Sequence, residues 1–258
     1  MKIPSIHIQG KGQPFVWLHG MLNSVESDSV FSLIDFHQLS TFVSVIRYDA
    51  CNKSVTGKYT WEAMADELIR IADAQKYSSM IIGGASMGSG TAIHCAVKFP
   101  ERVKALILVT PPPAWEMRSG VKSIYEKIAA KAGQNTIPDI LKRIIQLNQD
   151  PPEFFEQMHP GTRQLLLGYR LDFESCYYSS IYRGGAVSDL PTREQISNIN
   201  VPTLIVSLPD DENHPIKMAQ ELNSLISGSE LLVVSDYDDY QNLQKLVHKF
   251  LGKLGKLV

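Results

Sequence analysis

The chain has 258 residues, 44% of them hydrophobic and 20% charged, with a formal net charge of -2. That composition excludes a disordered chain and suits one domain with an insertion, or two small ones, around a sizeable core. The near-neutral balance leaves no electrostatic footprint for nucleic acid or an anionic membrane.

In chain order, Ser5-Ile-His-Ile-Gln9 alternates with period two and meets the turn Gly10-Lys-Gly-Gln, which leads into the apolar run Pro14–Leu18. Phe42–Tyr48 reads as a further strand. Thr60 then caps a helix that sets Trp61, Met64, Leu68 and Ile71 on one face. Met80-Ile-Ile82, a helix from Ser89 to Lys98, and the run Val103–Val109 follow. Continuous apolar strands between helices predict a mostly parallel sheet covered on both faces. After Thr110-Pro-Pro-Pro113 the pattern turns helical up to about Gly185, and Arg193–Asn200 is polar. Strand patterning resumes at Val201–Val206 and Glu230–Val234, separated by a helix carrying Ile216, Ala219, Leu222 and Ile226. A last helix stripes Tyr240, Leu243, Val247, Phe250 and Leu254 on one side. The fold class is therefore α/β, interrupted by a helical insertion.

The cysteines Cys51, Cys95 and Cys176 cannot all pair and include no Cys-x-x-Cys spacing, which favours a reducing compartment over a disulfide scaffold or thiolate zinc site. The first residues contain no apolar signal core, and no apolar run approaches the ~20 residues that span a bilayer. The expected compartment is cytoplasmic.

Gly84-Ala-Ser-Met-Gly88 is a G-x-S-x-G at the junction of a strand and a helix. A serine on so sharp a turn takes strained dihedrals, and side chains two residues to either side would collide there. Glycine at 84 and 88 removes the collision, lifts the Ser86 hydroxyl above the sheet, and leaves helix N-terminal N–H groups where an oxyanion would form. A glycine-rich turn of this kind also binds phosphate, but the segment has no Walker lysine and does not fit G-x-G-x-x-G. Val16-Trp-Leu-His-Gly-Met21 ends another strand, and the loop after such a strand supplies the second oxyanion donor. The candidate donors are the backbone N–H groups of Met21 and Met87. The His19 side chain reads best as a strand-end histidine without a chemical role.

With these segments, and with Arg47-Tyr-Asp49, Thr60–Asp66, Phe99–Val109 and Val201–Val206, the chain resembles the α/β-hydrolase superfamily over nearly its whole length. The resemblance implies an α/β-hydrolase core in residues 1–111 and 196–258, with a helical cap inserted at 112–195. It departs from many relatives after Asp49, where Ala50-Cys-Asn-Lys-Ser54 replaces an Arg-Gly-x-Gly-x-Ser turn.

The resemblance also implies a triad in the order Ser, Asp or Glu, His, with the acid after the strand that ends at Ser207. Relatives often read Gly-x-x-Asp-x-x-x-Pro there. Counting back from Pro215 selects Asp211, and counting forward from Ser207 selects Asp210; Asp211 is preferred because the proline anchors the next helix. The Gly-His that relatives carry after the last strand is absent from Val233-Val-Ser-Asp-Tyr-Asp-Asp-Tyr240. His248 lies deep in the last helix beside Gln244 and Lys245, on the face opposite the apolar stripe. His214 is then the candidate base for Ser86. Its orienting acid is Asp211, Asp210 or Glu116, since three residues of separation do not guarantee facing side chains. His94 should point away from the site, and His7, His37 and His159 have no supporting context.

The expected function is hydrolysis of an ester or related acyl bond in a small, partly apolar substrate, with no metal or organic cofactor. The cap aromatics, among them Trp115, Tyr125, Phe154, Phe173 and Tyr182, suit a helical core and part of a ligand pocket. Gly184-Gly185 is a hinge or a helix terminator. The expected partner is a small-molecule substrate, not nucleic acid or membrane, and no oligomeric state is implied. Two other functions stay open: a ligand-binding protein that kept the fold and lost the base, and a lyase or acyl transferase.

Overall fold

The computed structural model describes residues 5–53, 58–132, 151–171 and 175–254, without the side chains of 52–53 and 175–176. Phe173, the side chain of Cys176 and the end of the Ala50–Ser54 loop lie outside the described residues.

Seven strands form one sheet in the order β1-β3-β2-β4-β5-β6-β7. They are β1 (Ile6–Gln9), β2 (Pro14–Leu18), β3 (Ser44–Tyr48), β4 (Met80–Ala85), β5 (Val103–Val109), β6 (Thr203–Ser207) and β7 (Glu230–Val233). Strand β1 runs antiparallel to β3, and every other pair is parallel. Each strand lies where the apolar runs predict it. The run before β4 predicts only Met80–Ile82, yet pairing with β5 continues through both glycines to Ala85.

Helices cover both faces, as the doubly apolar strands require. In β2, Val16 and Leu18 point to one layer while Phe15 and Trp17 point to the other. The first layer holds α3 (Trp61–Ala74) and α4 (Met87–Lys98). Thr60 caps α3 through its hydroxyl to the Ala63 N–H, and Trp61, Met64, Leu68 and Ile71 are buried as the periodicity predicts. The second layer holds α11 (Tyr237–Leu254), with Leu243, Val247 and Phe250 in the core. Burying each such side chain contributes roughly 1.5–3 kcal/mol. Gln244 departs from the expected polar face of α11: it is buried, donates to the Leu33 carbonyl and accepts from the Asp35 N–H.

Two short helices, α1 (Val25–Val30) and α2 (Phe36–Leu39), follow β2 and have no counterpart in the sequence reading. Their apolar content is too low for a periodic signal, although Ser24 and Ser27 form a reciprocal capping box. Between β5 and β6 the described residues form only helices and connections: α5 (Ser119–Ala132), α6 (Glu153–Met158), α7 (Thr162–Leu171), α8 (Ser175–Val187) and α9 (Arg193–Ser197). Helix α10 (Ile216–Leu225) then joins β6 to β7.

Gly184-Gly185 does not terminate a helix, because α8 continues to Val187. A Cβ on Gly184 would lie 2.4 Å from the Tyr59 carbonyl oxygen, so these glycines permit close packing of α8 on the core. Arg118 ties the two chain crossings together, donating to the carbonyls of Pro113, Gly185 and Ser188 and stacking over Trp61. No helix among the described residues is long and apolar enough to cross a membrane.

Candidate active site

Ser86 sits between β4 and α4 with φ 51° and ψ -113°, a strained conformation for a residue with a side chain. Its N–H donates to the Val109 carbonyl, and its carbonyl accepts from Gly90 N–H, which fixes the turn at both ends. The flanking glycines are required on contact grounds. A Cβ on Gly84 would come within 2.5 Å of the Gly88 backbone, and one on Gly88 within 2.0 Å of the Leu18 carbonyl oxygen. The helix starts at Met87 rather than Ser89, because the strained serine itself ends the strand and opens the helix.

The loop after β6 brings a histidine and a carboxylate onto this serine. His214 Nε2 lies 2.8 Å from Ser86 Oγ, and His214 Nδ1 lies 2.7 Å from Asp211 Oδ2. An ionised carboxylate only accepts, so Nδ1 carries the proton and Nε2 is left to accept from the serine hydroxyl. The other oxygen, Asp211 Oδ1, accepts the backbone N–H of Asn213 at 2.9 Å and of His214 at 3.1 Å. This local turn makes two side chains three residues apart face each other. Burial raises the Asp211 pKa, but the His214 ring and the two backbone donors outweigh it and leave the carboxyl below its usual value. An imidazole so oriented can take the serine proton, which is the requirement for a nucleophile at neutral pH.

The structure brings Asp211, not Asp210, onto His214; Asp210 lines the adjoining cavity. Glu116 lies elsewhere, exposed and paired with Arg193 at 2.7 Å, which lowers its pKa to about 2. His94 donates to the Asp189 carbonyl, away from the serine, as its position on α4 predicts. His248 is exposed and stacks on Phe42 at 4.4 Å. His159 packs on Phe155. Cys51 and Cys95 are buried thiols whose pKa values burial pushes up to about 12, which removes them as thiolate nucleophiles.

Met87 is the first residue of α4, directly after Ser86, and Met21, which follows Gly20 after β2, lines the same cavity as Ser86. Gly20 approaches closely enough that a Cβ there would stand 3.8 Å from Ser86 Cβ. The buried His19 ring organises this loop. Its Nε2 accepts the Ala50 N–H at 3.0 Å, so its Nδ1 carries a proton and donates to the Gly20 carbonyl at 2.8 Å. His19 thus holds two loops together, a structural task for the strand-end histidine.

A cavity of about 460 Å³ opens over Ser86 and His214, large enough for a small organic molecule. Phe31, Leu33, Phe154, Leu208 and Val234 give it apolar walls. Asn23, Asp28 and Arg170 add polar ones, and the sequence reading singled out none of these three. Asp28 is buried and receives Trp17 Nε1–H at 2.7 Å and Asn23 Nδ2–H at 3.0 Å; Asn23 Oδ1 accepts twice from Arg170. Burial raises the Asp28 pKa to about 6 against the lowering effect of His19, Trp17, Asn23 and Arg47. The only signal available for Asp28 was a polar stretch following His19-Gly20, too short to show a buried face.

Comparison with known proteins agrees with this architecture. Residues 13–246 match the family described as alpha/beta hydrolase fold. The chain is 26% identical over 254 residues to the AB hydrolase superfamily protein YisY of Bacillus subtilis, covering 93% of this chain and 92% of that protein. It is 25% identical over 261 residues to a 2-hydroxy-6-oxo-2,4-heptadienoate hydrolase of Pseudomonas putida, covering 96% and 92%. Among solved structures, a thermophilic esterase from Thermogutta terrifontis superposes with TM-score 0.84 at 19% identity, covering 97% of this chain and 93% of that one. The enol-lactonase from Burkholderia xenovorans superposes with TM-score 0.80 at 18% identity over 96% of each chain. With the sheet order, the elbow and the family match in agreement, the chain belongs to the α/β-hydrolase fold family.

Proposed function

We propose that the protein is a serine hydrolase acting on an ester or related acyl bond of a small, partly apolar substrate, with Ser86 as nucleophile. One observation carries the reading: the His214 ring bridges Ser86 Oγ and Asp211 Oδ2 at 2.8 and 2.7 Å beneath the cavity. In the proposed cycle His214 Nε2 takes the Ser86 proton as Oγ attacks the carbonyl carbon. The N–H groups of Met21 and Met87 stabilise the oxyanion, each such donor being worth about 10²–10³ in rate. His214 then returns the proton to the leaving oxygen, and a water molecule, deprotonated by the same nitrogen, releases the acid from Ser86. Asp211 holds the imidazole in the reactive tautomer and stabilises its protonated form. The helices of residues 112–195 act as a cap, with Pro152, Glu153, Phe154 and Arg170 forming its part of the cavity wall.

The hydrolase relatives support the general reaction, and the esterase likeness supports the fold on which it would run. Labelling by a fluorophosphonate probe and hydrolysis of p-nitrophenyl esters test the proposal. Both should be present in the wild type and lost in Ser86→Ala. A protein that neither labels nor hydrolyses any short ester would instead be a binding protein on this fold, and ester exchange onto added alcohols in preference to water would make it an acyl transferase.

A further inference from the structure

The wall of the cavity that carries Asp28 has no task in the proposed acyl transfer. Asp28 is 5% exposed and Arg170 is equally buried, so both were taken out of water during folding at considerable cost. Buried charges of this kind are normally matched group for group. Asp28 Oδ2 accepts from Trp17 and Oδ1 from Asn23, which fills two of the roughly four acceptor positions of a carboxylate. The Asn23 amide is turned by Arg170, whose Nε and Nη2 donate to its oxygen at 3.2 and 3.0 Å and so direct its NH₂ at Asp28. The carboxyl is therefore held in place with acceptor capacity remaining, and Asp28 is among the residues that line the same cavity as Ser86.

Resting on the serine-hydrolase reading, we propose that Asp28 is a specificity-determining residue that accepts a hydrogen bond from a hydroxyl on the substrate, so that the preferred substrates are short hydroxylated esters. A neutral donor fits better than an ammonium group because positive charge is already at hand: Arg170 lines the cavity one amide away, and Arg47 acts on Asp28 electrostatically. Above pH 6 the group carries its charge and accepts most strongly, and a hydrogen bond to a charged partner is about twice as strong as a neutral one.

The test compares p-nitrophenyl hexanoate with its 2-, 3- and 6-hydroxy derivatives, and hexyl acetate with 6-hydroxyhexyl acetate, in wild type, Asp28→Asn and Asp28→Leu. In the wild type at least one hydroxylated ester should exceed its parent about tenfold in kcat/KM, and that ratio should fall toward one in both variants. Calorimetric binding of the same esters to Ser86→Ala gives the ratio without turnover, so it decides the matter even if the protein hydrolyses none of them. Absence of hydrolysis in the wild type, with the binding preference present in Ser86→Ala, would sink the serine-hydrolase reading and leave the subsite standing. No preference in the wild type, a preference that survives both substitutions, or tighter binding of the 6-aminohexanoate ester than of the 6-hydroxy ester would overturn the proposal. Should neither variant melt cooperatively, the wild-type and Ser86→Ala ratios decide it.

Discussion

His214→Ala is the most demanding perturbation of the proposed mechanism. It removes the 2.8 Å contact to Ser86 Oγ and the 2.7 Å contact to Asp211 together, leaving Asp211 with the backbone donors of residues 213 and 214. The effect on rate and the effect on stability should differ greatly. In a nucleophile–base–acid unit, deleting the base costs about four to six powers of ten in kcat. At 1.36 kcal/mol per factor of ten, that is about 5–8 kcal/mol of transition-state stabilisation. The side chain is 20% exposed at the cavity mouth, so its loss should cost folding only about 1 kcal/mol. A variant that melts near the wild-type temperature but is almost inert is the expected result.

The assay is p-nitrophenyl ester hydrolysis with Ser86→Ala as the floor, together with the rate of fluorophosphonate labelling. Because Ser86 and His214 work as one unit, the double variant should be no slower than either single one. His248→Ala should stay within about twofold of wild type, since that ring, in the last helix, is exposed and packs on Phe42. If His214→Ala keeps a tenth or more of the wild-type rate while Ser86→Ala is dead, another group activates the serine and the reasoning fails.

Asp211→Asn should lower kcat by about 10³–10⁴ through loss of the reactive tautomer, whereas Asp210→Asn should cost less than about tenfold; the reverse order would assign the acid to Asp210. Gly88→Ala forces a methyl to 2.0 Å from the Leu18 carbonyl and should cost upwards of about 3 kcal/mol, read as loss of soluble protein or a sharp fall in the urea midpoint. Asp28 holds its proton to about pH 6 in the folded chain but only to 3.8 when unfolded, so stability should fall as pH rises across that window, by on the order of 3 kcal/mol. Denaturation of wild type and Asp28→Asn from pH 4 to 8 measures this, and a stability difference that stays flat with pH would refute it.

The inner part of the sheet was legible because its strands are buried on both faces. Runs such as Val103–Val109 and Val201–Val206 have no competing helical pattern, and the capped amphipathic helices between them set their order. The elbow was legible because only glycine fits beside Leu18 and between the two halves of the turn. The His214–Asp211 pairing could be suspected by elimination, but not its geometry. A three-residue spacing faces its side chains only when the loop folds as a turn, and that turn depends on Asp211 Oδ1 capturing the two backbone donors. The cavity's polar wall was invisible for another reason. Arg170 reaches Asp28 through Asn23, which lies 147 residues from Arg170 in the chain, and a buried acid on a short helix looks in sequence like a solvated one.

The segment that replaces the expected Gly-His has its own physical explanation. Three residues, Val234, Ser235 and Asp236, join β7 to α11, and they are committed to starting that helix. Asp236 accepts the Asp239 N–H through its side chain at 2.8 Å and the Tyr240 N–H through its carbonyl at 3.1 Å, while Asp239 reaches back to the Ser235 N–H at 3.0 Å. Acids in that first turn also suit the positive end of the helix. A connection so short and so fully capped has no slack to carry an imidazole to Ser86. Val234 and Ser235 instead line the cavity. The loop after β6 is not so constrained. Leu208–His214 spans seven residues before Pro215 opens α10, and its internal turn presents acid and imidazole as one rigid pair. The proposed base on that loop and the tightly capped start of α11 on the other are therefore two sides of one arrangement. Lengthening the 234–236 connection should loosen the start of α11 without replacing His214.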